Sequence, residues 1–382
     1  MRMSKILIDS TLNSGISEMF NLANKIGGDL IRFETGGVDL PTPERIIKSA
    51  SDAMFIGETN YAPYKGIDSL RESIIKKLEL KNKISKNIDD ILVTAGGSEA
   101  LFLTFQALFE KGDEIIISDP SWPHFVEMIK FSGGVAVPAQ FISRDGQKVD
   151  LDIVERLITT KTRAILINSP HNPTGAVLSK KDLERVVEIA EKYKLIIISD
   201  EVYEDFVYGS NKHISIGSLY DNVISIYSLS KTYAMCGWRL GYVAANPELV
   251  DRMTKLHMYS ITCIPRFIQT AGKAALDGDQ SDVRNMVKIY ESRRNLLVNR
   301  LNGIDNINCP MPKGALYAWP DISKYGNSKE IAIKLLQKAG CVTVPGSAFG
   351  AGGEGRLRLA MSLSEEEINK GIDKIQESIS DI

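Results

Sequence analysis

The sequence predicts an α/β protein with a mainly parallel central sheet sandwiched by helices and a smaller α+β part. Between about residues 90 and 245, short β-branched apolar runs each end in small or polar residues and lead into an amphipathic stretch, which is the signature of βαβ units. These runs are near-continuous in Ile, Leu and Val rather than alternating, as suits strands covered on both faces. From about residue 280 the pattern changes to a long charged helix, SDVRNMVKIYESRRNLLVNRL at 281–301, and then to PKGALYAWP and GRLRLAM.

In chain order the repeating runs are DILVTAGGSEALFLTFQALF (90–109), DEIIISDPSWPHFVEMIKF (113–131), TRAILINSPHNPTG (162–175), KLIIISDEVYEDF (194–206) and NVISIYSLSK (222–231). Their polar residues cluster just past the strands' C-terminal ends, where ligands of open α/β sheets bind. A chain of 382 residues has room for two domains at about 150 residues each. The expected division is a large domain at 41–280 and a small domain made of 1–40 with 281–382. The charge run KKLELKNKISKNIDD (76–90) and the helix at 281–301, with its Arg293-Arg294 pair, both read as solvated surface.

Composition narrows the function classes. Hydrophobic residues make up 43% and charged residues 25%, with a formal net charge of −2, the profile of an ordinary globular protein with no nucleic-acid footprint. No apolar run approaches the roughly 18 residues of a membrane span, and MRMSKILIDS reaches Asp9 before a signal-peptide core can develop, so a cytoplasmic protein is expected. Cys236, Cys263, Cys309 and Cys341 lie far apart without a C-x-x-C pair, and His124, His171, His213 and His257 show no metal-ligand spacing. Neither a metal site nor a disulfide framework is expected.

Three strand ends carry the chemistry. In TAGGSEAL, Gly96, Gly97 and Ser98 stand where a strand turns into a helix, so free N–H groups and the helix dipole favour an anion such as phosphate. A tight turn is the plainer reading, and the spacing fits neither G-x-G-x-x-G nor the P-loop. In IIISDEVYEDF, Asp200 ends an apolar strand and Tyr203 follows three positions later. It is either a helix N-cap or a carboxylate that keeps a heterocyclic nitrogen protonated. In SLSKTYAMCGWRLGY (228–242), Lys231 follows the apolar NVISI and is flanked by Ser228, Ser230 and Arg239. A lysine brought into the interior tends to lose its proton and become an amine nucleophile, although a snorkelling surface lysine is the alternative. Together, a phosphate cradle, a pyridinium partner and an imine-forming lysine are what pyridoxal 5′-phosphate requires of a protein.

Eight stretches in order, GGVDLPTP (36–43), YAPYKG (61–66), AGGSEAL (95–101), PSWPHF (120–125), NSPHNPTG (168–175), SDEVYEDF (199–206), SLSKTYAMCGWRLGY (228–242) and GRLRLAM (355–361), span nearly the whole chain. On these the sequence resembles the class I/II, fold-type I pyridoxal-phosphate aminotransferases, in particular aspartate and aromatic aminotransferases. The resemblance implies the fold-type I transferase fold and a ping-pong transfer of the α-amino group from an L-amino acid to a 2-oxo acid such as 2-oxoglutarate. It makes Lys231 the internal-aldimine lysine and proton shuttle, and Asp200 the partner of the pyridine nitrogen. Asn172 and Tyr203 become partners of the cofactor's phenolate oxygen, and Trp122 the residue stacked on its ring. It also implies a phosphate site from Gly97 and Ser98 backbone with Ser228, Ser230 and Arg239 side chains. Tyr61 would reach the phosphate bound by a neighbouring subunit, hence a homodimer with shared sites. Arg358 would clamp the substrate α-carboxylate, with a backbone contact from Gly36 and with Trp122 and Asn172 lining the substrate.

Two departures stand out. Many relatives read G-E-P-D-F where this chain has Gly36-Gly37-Val38-Asp39-Leu40, and T-G-W-R where it has Cys236-Gly237-Trp238-Arg239. Dicarboxylate-specific members of one subgroup carry a second arginine near a segment like MYSITCIP (258–265), where this chain offers Lys255, Leu256 and His257. Substrate side-chain determinants are therefore sought in LNSGISEM (12–19), around Tyr64 and Lys65, and at Arg266. Tyr317 and Trp319 read as small-domain core, and His171 as a packing residue near the site. A pyridoxal-phosphate lyase cleaving a Cβ–S bond would carry nearly the same motifs. A non-catalytic effector-binding module would need a DNA-binding appendage for which the first 40 residues are too short.

Overall fold

The computed structural model describes residues 15–379. A short β1 (Ile31–Arg32) precedes two helices, Glu44–Phe55 and Asp68–Lys77. The main run of strands follows: β2 (Ile91–Thr94), β3 (Glu114–Ser118), β4 (Val135–Ala139), β5 (Thr162–Asn168), β6 (Ile196–Asp200), β7 (Val223–Ser228) and β8 (Gly241–Ala244). After three helices, Pro247–Ser260, Arg266–Asp277 and Ser281–Asn302, come β9 (Tyr317–Ala318), β10 (Cys341–Val342), β11 (Val344–Pro345) and β12 (Leu357–Ala360), and the described chain ends in the helix Glu365–Ile379.

Strands β2 to β8 form one seven-stranded sheet in the order β2-β8-β7-β6-β5-β3-β4. The ladders from β7 through β4 are parallel, and β8 runs antiparallel to both β2 and β7. The expected mainly parallel sheet is therefore present. The continuous apolar runs have the predicted cause: all four residues of β2 are buried, as are Ile197 and Ile198 of β6 and Ile224 and Ile226 of β7. The edge strand β4, VAVPA, is absent from the runs picked out in the sequence. Its burial is patchy and it carries Pro138, which only an edge strand tolerates because proline cannot donate to a ladder. The helix Lys180–Tyr193 shows how a covering layer is specified. It is capped by a Ser179–Asp182 box, turns Leu183, Val186, Ile189 and Ala190 inward, and stops where Lys194 adopts a left-handed conformation at φ 56°.

A second body of core lies under the C-terminal part, where β11-β12-β9 form an antiparallel sheet and β1 pairs in parallel with β10. The helix Glu365–Ile379 buries Ile368, Ile372 and Ile375 there. Its Gly371 lets Phe33 approach so closely that a Cβ would stand 2.5 Å from the ring. Arg293 and Arg294 correct the solvated reading of helix Ser281–Asn302. Both are buried; Arg293 pairs with Asp39 at 2.7 Å and Arg294 lies over the Tyr208 ring at 4.7 Å. Their long stems cover apolar surface while the charges find partners at its rim.

The charge run at 76–90 is likewise not wholly solvated. Lys77 turns inward, 11% exposed, to meet the 7%-exposed Glu204 at 2.5 Å and to sit 4.0 Å above the Tyr227 ring. Burial works against ionising Glu204, yet Lys77 and Lys81 hold its carboxyl below the usual range. Removing one partner of such a pair leaves a buried charge exposed to the full desolvation penalty. Lys77→Met is expected to lower stability in urea at pH 7 by about 3 kcal/mol, the low end for a broken buried pair because Lys81 remains 3.5 Å from Glu204. Lys81→Met should cost under about 1 kcal/mol, as its own charge is more exposed. Equal losses would contradict this division.

Candidate active site

Parallel register brings the three strand ends together. Asn168 of β5 stands opposite Asp200 of β6, which stands opposite Ile226 of β7, two residues before Ser228. The helix Gly96–Leu108 starts directly after β2 with Gly96 at φ 79°, a left-handed conformation natural to glycine. A Cβ on Gly96 would lie 2.5 Å from Arg239 Nη2, and one on Gly241 would lie 2.7 Å from the Gly96 carbonyl carbon. The turn thus packs backbone against backbone and leaves room for a guanidinium at the helix N-terminus. Arg239 is exposed, at φ 56°, with Nη1 donating to Cys236 O and Nη2 to Ala95 O. Ser228 Oγ accepts from Ser230 N–H at 3.2 Å. One cavity of about 260 Å³ is lined by Gly97, Ser98, Ser228, Ser230 and Arg239 on this side. A helix N-terminus with a cation and hydroxyls around it is an anion cradle.

Deeper in the same cavity stand Asp200, Tyr203, Lys231, Asn172, Trp122, Gly36 and Arg358. Of the predicted site residues only Tyr61 lies elsewhere, 81% exposed. Asp200 is 4% exposed and forms no ion pair with a described residue. Its carboxylate accepts one N–H, from Val202 at 3.3 Å. Burial, with Glu201 adding repulsion, pushes its pKa up to about 7 against the opposing pull of the Val202 N–H and of Lys231. Lys231, in the short helix Leu229–Thr232, is half-buried, not enclosed as the strand pattern suggested. Its Nζ donates to Gly36 O at 2.7 Å, with Cys236 Sγ at 3.8 Å. Trp122 stacks on His124 at 4.2 Å and 10°.

Arg358, on β12, is 2% exposed and also without an ion-pair partner among the described residues. Nη2 donates to Glu34 O at 2.8 Å, Nη1 reaches Asn172 Oδ1 at 3.4 Å, and Nε has no acceptor. The guanidinium lies 4.4 Å above the Tyr317 ring. A buried guanidinium without a carboxylate is costly on its own and is set to receive an anion. Lys231, Asp200, Arg358 and the cradle thus present an amine, a carboxylate, a buried guanidinium and an anion-favouring helix N-terminus to one space.

The profile of the family described as "Aminotransferase class I and II" matches residues 28–375. The chain belongs to the class I and II aminotransferases. Among the aminotransferase's curated relatives, a probable aspartate aminotransferase of Methanocaldococcus jannaschii is 40% identical over 95% of this chain and 96% of that one. The aromatic-amino-acid aminotransferase 2 of Thermococcus litoralis is 37% identical over 96% of each. The solved aspartate aminotransferase of Thermus thermophilus with maleate superposes with a TM-score of 0.94 at 32% identity, covering 99% of this chain and 100% of that chain.

Several cavity residues of the aminotransferase escaped the sequence reading. Asn168, Val202, His124 and Tyr317 all line the cavity. Asn168 ends a strand inside a quoted motif and donates to Asp200 O at 3.1 Å, so position relative to the strand end was its signal. Tyr317 sits in the apolar stretch ALYAWP and carried no polar signal. It belongs both to the core and to the cavity wall. Trp319 is core alone, donating to Arg144 O. His171 is fully buried between Ser118 Oγ and Thr174 Oγ1, and burial brings its pKa down to about 3. Of the proposed specificity segments, Ile16 reaches the cavity and residues 12–14 lie outside the described residues. Lys65 is paired with Asp251 at 2.8 Å, and Arg266 donates to Tyr61 O at 3.0 Å. Glu201, Glu204 and His213 come close enough to ligate an ion. Glu201 instead accepts from Ser199 and Ser215 and meets His213 Nε2 at 2.8 Å, while Glu204 accepts from Lys77 and Asn82.

Because the folded state holds the Asp200 proton more tightly than the unfolded chain, stability falls as pH rises from about 4 to about 7 and then levels off. Asp200→Asn lacks this term. In denaturant titrations of the cofactor-free protein, the variant is expected to gain on the wild type across that window, by up to ~4 kcal/mol above pH 7. Parallel pH profiles would overturn the assignment.

Proposed function

We propose that the aminotransferase holds pyridoxal 5′-phosphate in this cavity and moves the α-amino group of an L-amino acid to a 2-oxo acid, such as 2-oxoglutarate, in two ping-pong halves. What carries the reading is the Lys231 amine set in one cavity with two buried, unpaired charges, Asp200 and Arg358. The donor set fits the cofactor part by part. Gly97, Ser98, Ser228, Ser230 and Arg239 would take its phosphate, Asp200 its ring nitrogen, Asn172 and Tyr203 its phenolic oxygen, and Trp122 its face. Bound there, the cofactor supplies an aldehyde that condenses with amines and a ring that accepts the electron pair of the bond broken at Cα.

The chain's own residues do the rest. Arg358 takes the α-carboxylate as a bidentate pair, replacing the acceptor its Nε lacks. Asp200, ionised once a cation faces it, would keep that ring nitrogen protonated. Lys231, whose amine lines the cavity, would be the base that takes the Cα proton and the acid that gives it back. Gly36 O, which already accepts the Lys231 amine, orients it for that step. The names of the relatives are those of aminotransferases acting on aspartate and aromatic amino acids, which makes these the donors to try first and gives the lyase no support.

The same reading assigns a homodimer. Phe55, Ile56, Tyr61 and Tyr259 are 79–89% exposed, and their two chain stretches are joined by Arg266 Nε to Tyr61 O and by Ala62 N–H to Cys263 Sγ. Large apolar and aromatic side chains exposed together ask for a cover, and a second copy would place Tyr61 at its partner's phosphate site. The division into a large domain at 41–280 and a small domain of 1–40 with 281–382 is kept as part of the proposal. It is supported by the parallel pairing of β1 with β10. Four free cysteines suit a reducing cytoplasm; no described helix is long and apolar enough to cross a membrane.

The test is spectroscopic. Purified protein given pyridoxal phosphate should show a visible band. Single amino acids added without an oxo acid should convert that band with stoichiometric oxo acid and no ammonia. Continuous ammonia release would make the enzyme a lyase, and no band at all would sink the Lys231 assignment. Arg358→Lys, which keeps charge but loses the planar fork, should lower kcat/KM by about 10- to 100-fold, the worth of a charged hydrogen bond.

A further inference from the structure

Tyr317 touches more of the catalytic apparatus than its apolar setting suggests. Its Oη lies 2.8 Å from Tyr203 Oη, and the two rings meet edge-on at 5.9 Å and 81°. Both are buried, at 1% and 6% exposure. The Arg358 guanidinium lies over the Tyr317 ring at 4.4 Å. On its remaining side the backbone of Gly36, which accepts the Lys231 amine, approaches so closely that a Cβ there would stand 2.6 Å from Tyr317 Oη.

We propose that Tyr317 is a positioning residue that sets how strongly Tyr203 donates its hydroxyl proton into the cavity. The inference rests on the reading of Tyr203 as a partner of the cofactor's phenolic oxygen. Two phenols joined by one hydrogen bond own two protons, so one is left over for a third group. Which hydroxyl keeps it is decided by which is the better donor. The Arg358 cation on the Tyr317 face draws electron density from that ring and makes Tyr317 the donor within the pair. Tyr203 then accepts from Tyr317 and has its own proton free. No other side chain among the described residues makes a hydrogen bond to either hydroxyl, so no described side chain competes for that proton. An accepted hydrogen bond polarises the O–H that is given onward and strengthens it. The buried pair also fixes the direction of a hydroxyl that would otherwise rotate. The same arrangement couples the two ends of the site, because a change at Arg358 on binding a carboxylate is felt by the ring beneath it.

The experiment is a pH titration of the bound cofactor's visible absorbance in four holoenzymes: wild type, Tyr317→Phe, Tyr203→Phe and the double variant. A stronger donor at the phenolic oxygen stabilises its negative charge and lowers the midpoint. Tyr317→Phe is therefore expected to raise the midpoint by about half a pH unit, consistent with the modest strengthening one bond gives its neighbour. Tyr203→Phe should raise it further, and the double variant should match Tyr203→Phe alone, since Tyr317 acts only through Tyr203. Tyr317→Phe keeps the ring under Arg358, so KM for the amino acid should stay within about twofold of wild type. A wild-type midpoint in Tyr317→Phe, additive shifts in the double variant, or a KM rise with the midpoint unmoved would each overturn the proposal. If Tyr203→Phe itself left the midpoint in place, the role of Tyr203 would fall and this inference with it, an outcome distinct from failure of Tyr317→Phe alone.

Discussion

Asp200 and Arg358 are opposite charges, each almost fully withdrawn from water into one cavity and each without an ion-pair partner in the described chain. Burying a charge without a partner is among the most expensive things a fold can do. The chain meets the two costs differently. Asp200 shifts its proton affinity upward, whereas a guanidinium cannot shed its proton and leans on one backbone carbonyl, an amide oxygen and the Tyr317 ring. Much of the remaining architecture serves to bring these two groups to the wall of one cavity.

The two charges arrive on different sheets. Asp200 is placed by parallel register, which aligns the ends of β5, β6 and β7 and makes the position of each polar group a matter of where its apolar run stops. Arg358 is placed by β12 in the middle of a three-stranded antiparallel sheet, between β11 and β9. That sheet's other strand, β9, carries Tyr317. Carrying the clamp on a central strand rather than on a loop fixes its direction, as a bidentate partner requires. Stability is spent at the cavity and recovered in the apolar clusters beneath each sheet, where Phe33, Tyr290, Leu335 and Ile372 on one side and Ile117, Phe125 and Ile198 on the other are sealed from solvent.

What was legible in the sequence divides along physical lines. Strands β2, β3, β5, β6 and β7 were readable because a strand covered on both faces must be apolar at every position. The edge strand β4 was not, since one covered side and a tolerated Pro138 leave no run to read. Polar site residues such as Asp200, Lys231 and Ser228 stood out as exceptions at the ends of apolar runs. Tyr317 did not, because a phenol within ALYAWP looks like core until its hydroxyl is seen to meet another hydroxyl. Lys77, Arg293 and Arg294 were misjudged for the converse reason. A charge in a charged stretch signals solvent, and only tertiary packing shows that Glu204 reaches Lys77, that Asp39 reaches Arg293 and that the Tyr208 ring lies under Arg294.

Substrate choice is the property least determined by a single chain, and the structure indicates why. On the proposed reading, the cavity walls contributed by this chain are given to the cofactor and to groups that every amino acid presents: an amine, a carboxylate and the Cα proton. Tyr64 and Lys65 lie away from the cavity, Lys65 being held by Asp89 and Asp251, and Arg266 is turned to the Tyr61 backbone. Those segments lie beside the exposed Phe55, Tyr61 and Tyr259, on the surface the proposal gives to a second subunit. A side chain longer than that of alanine would then be met by residues of two chains. Its recognition would follow from how the subunits sit together, which neither the motifs nor the isolated fold encodes.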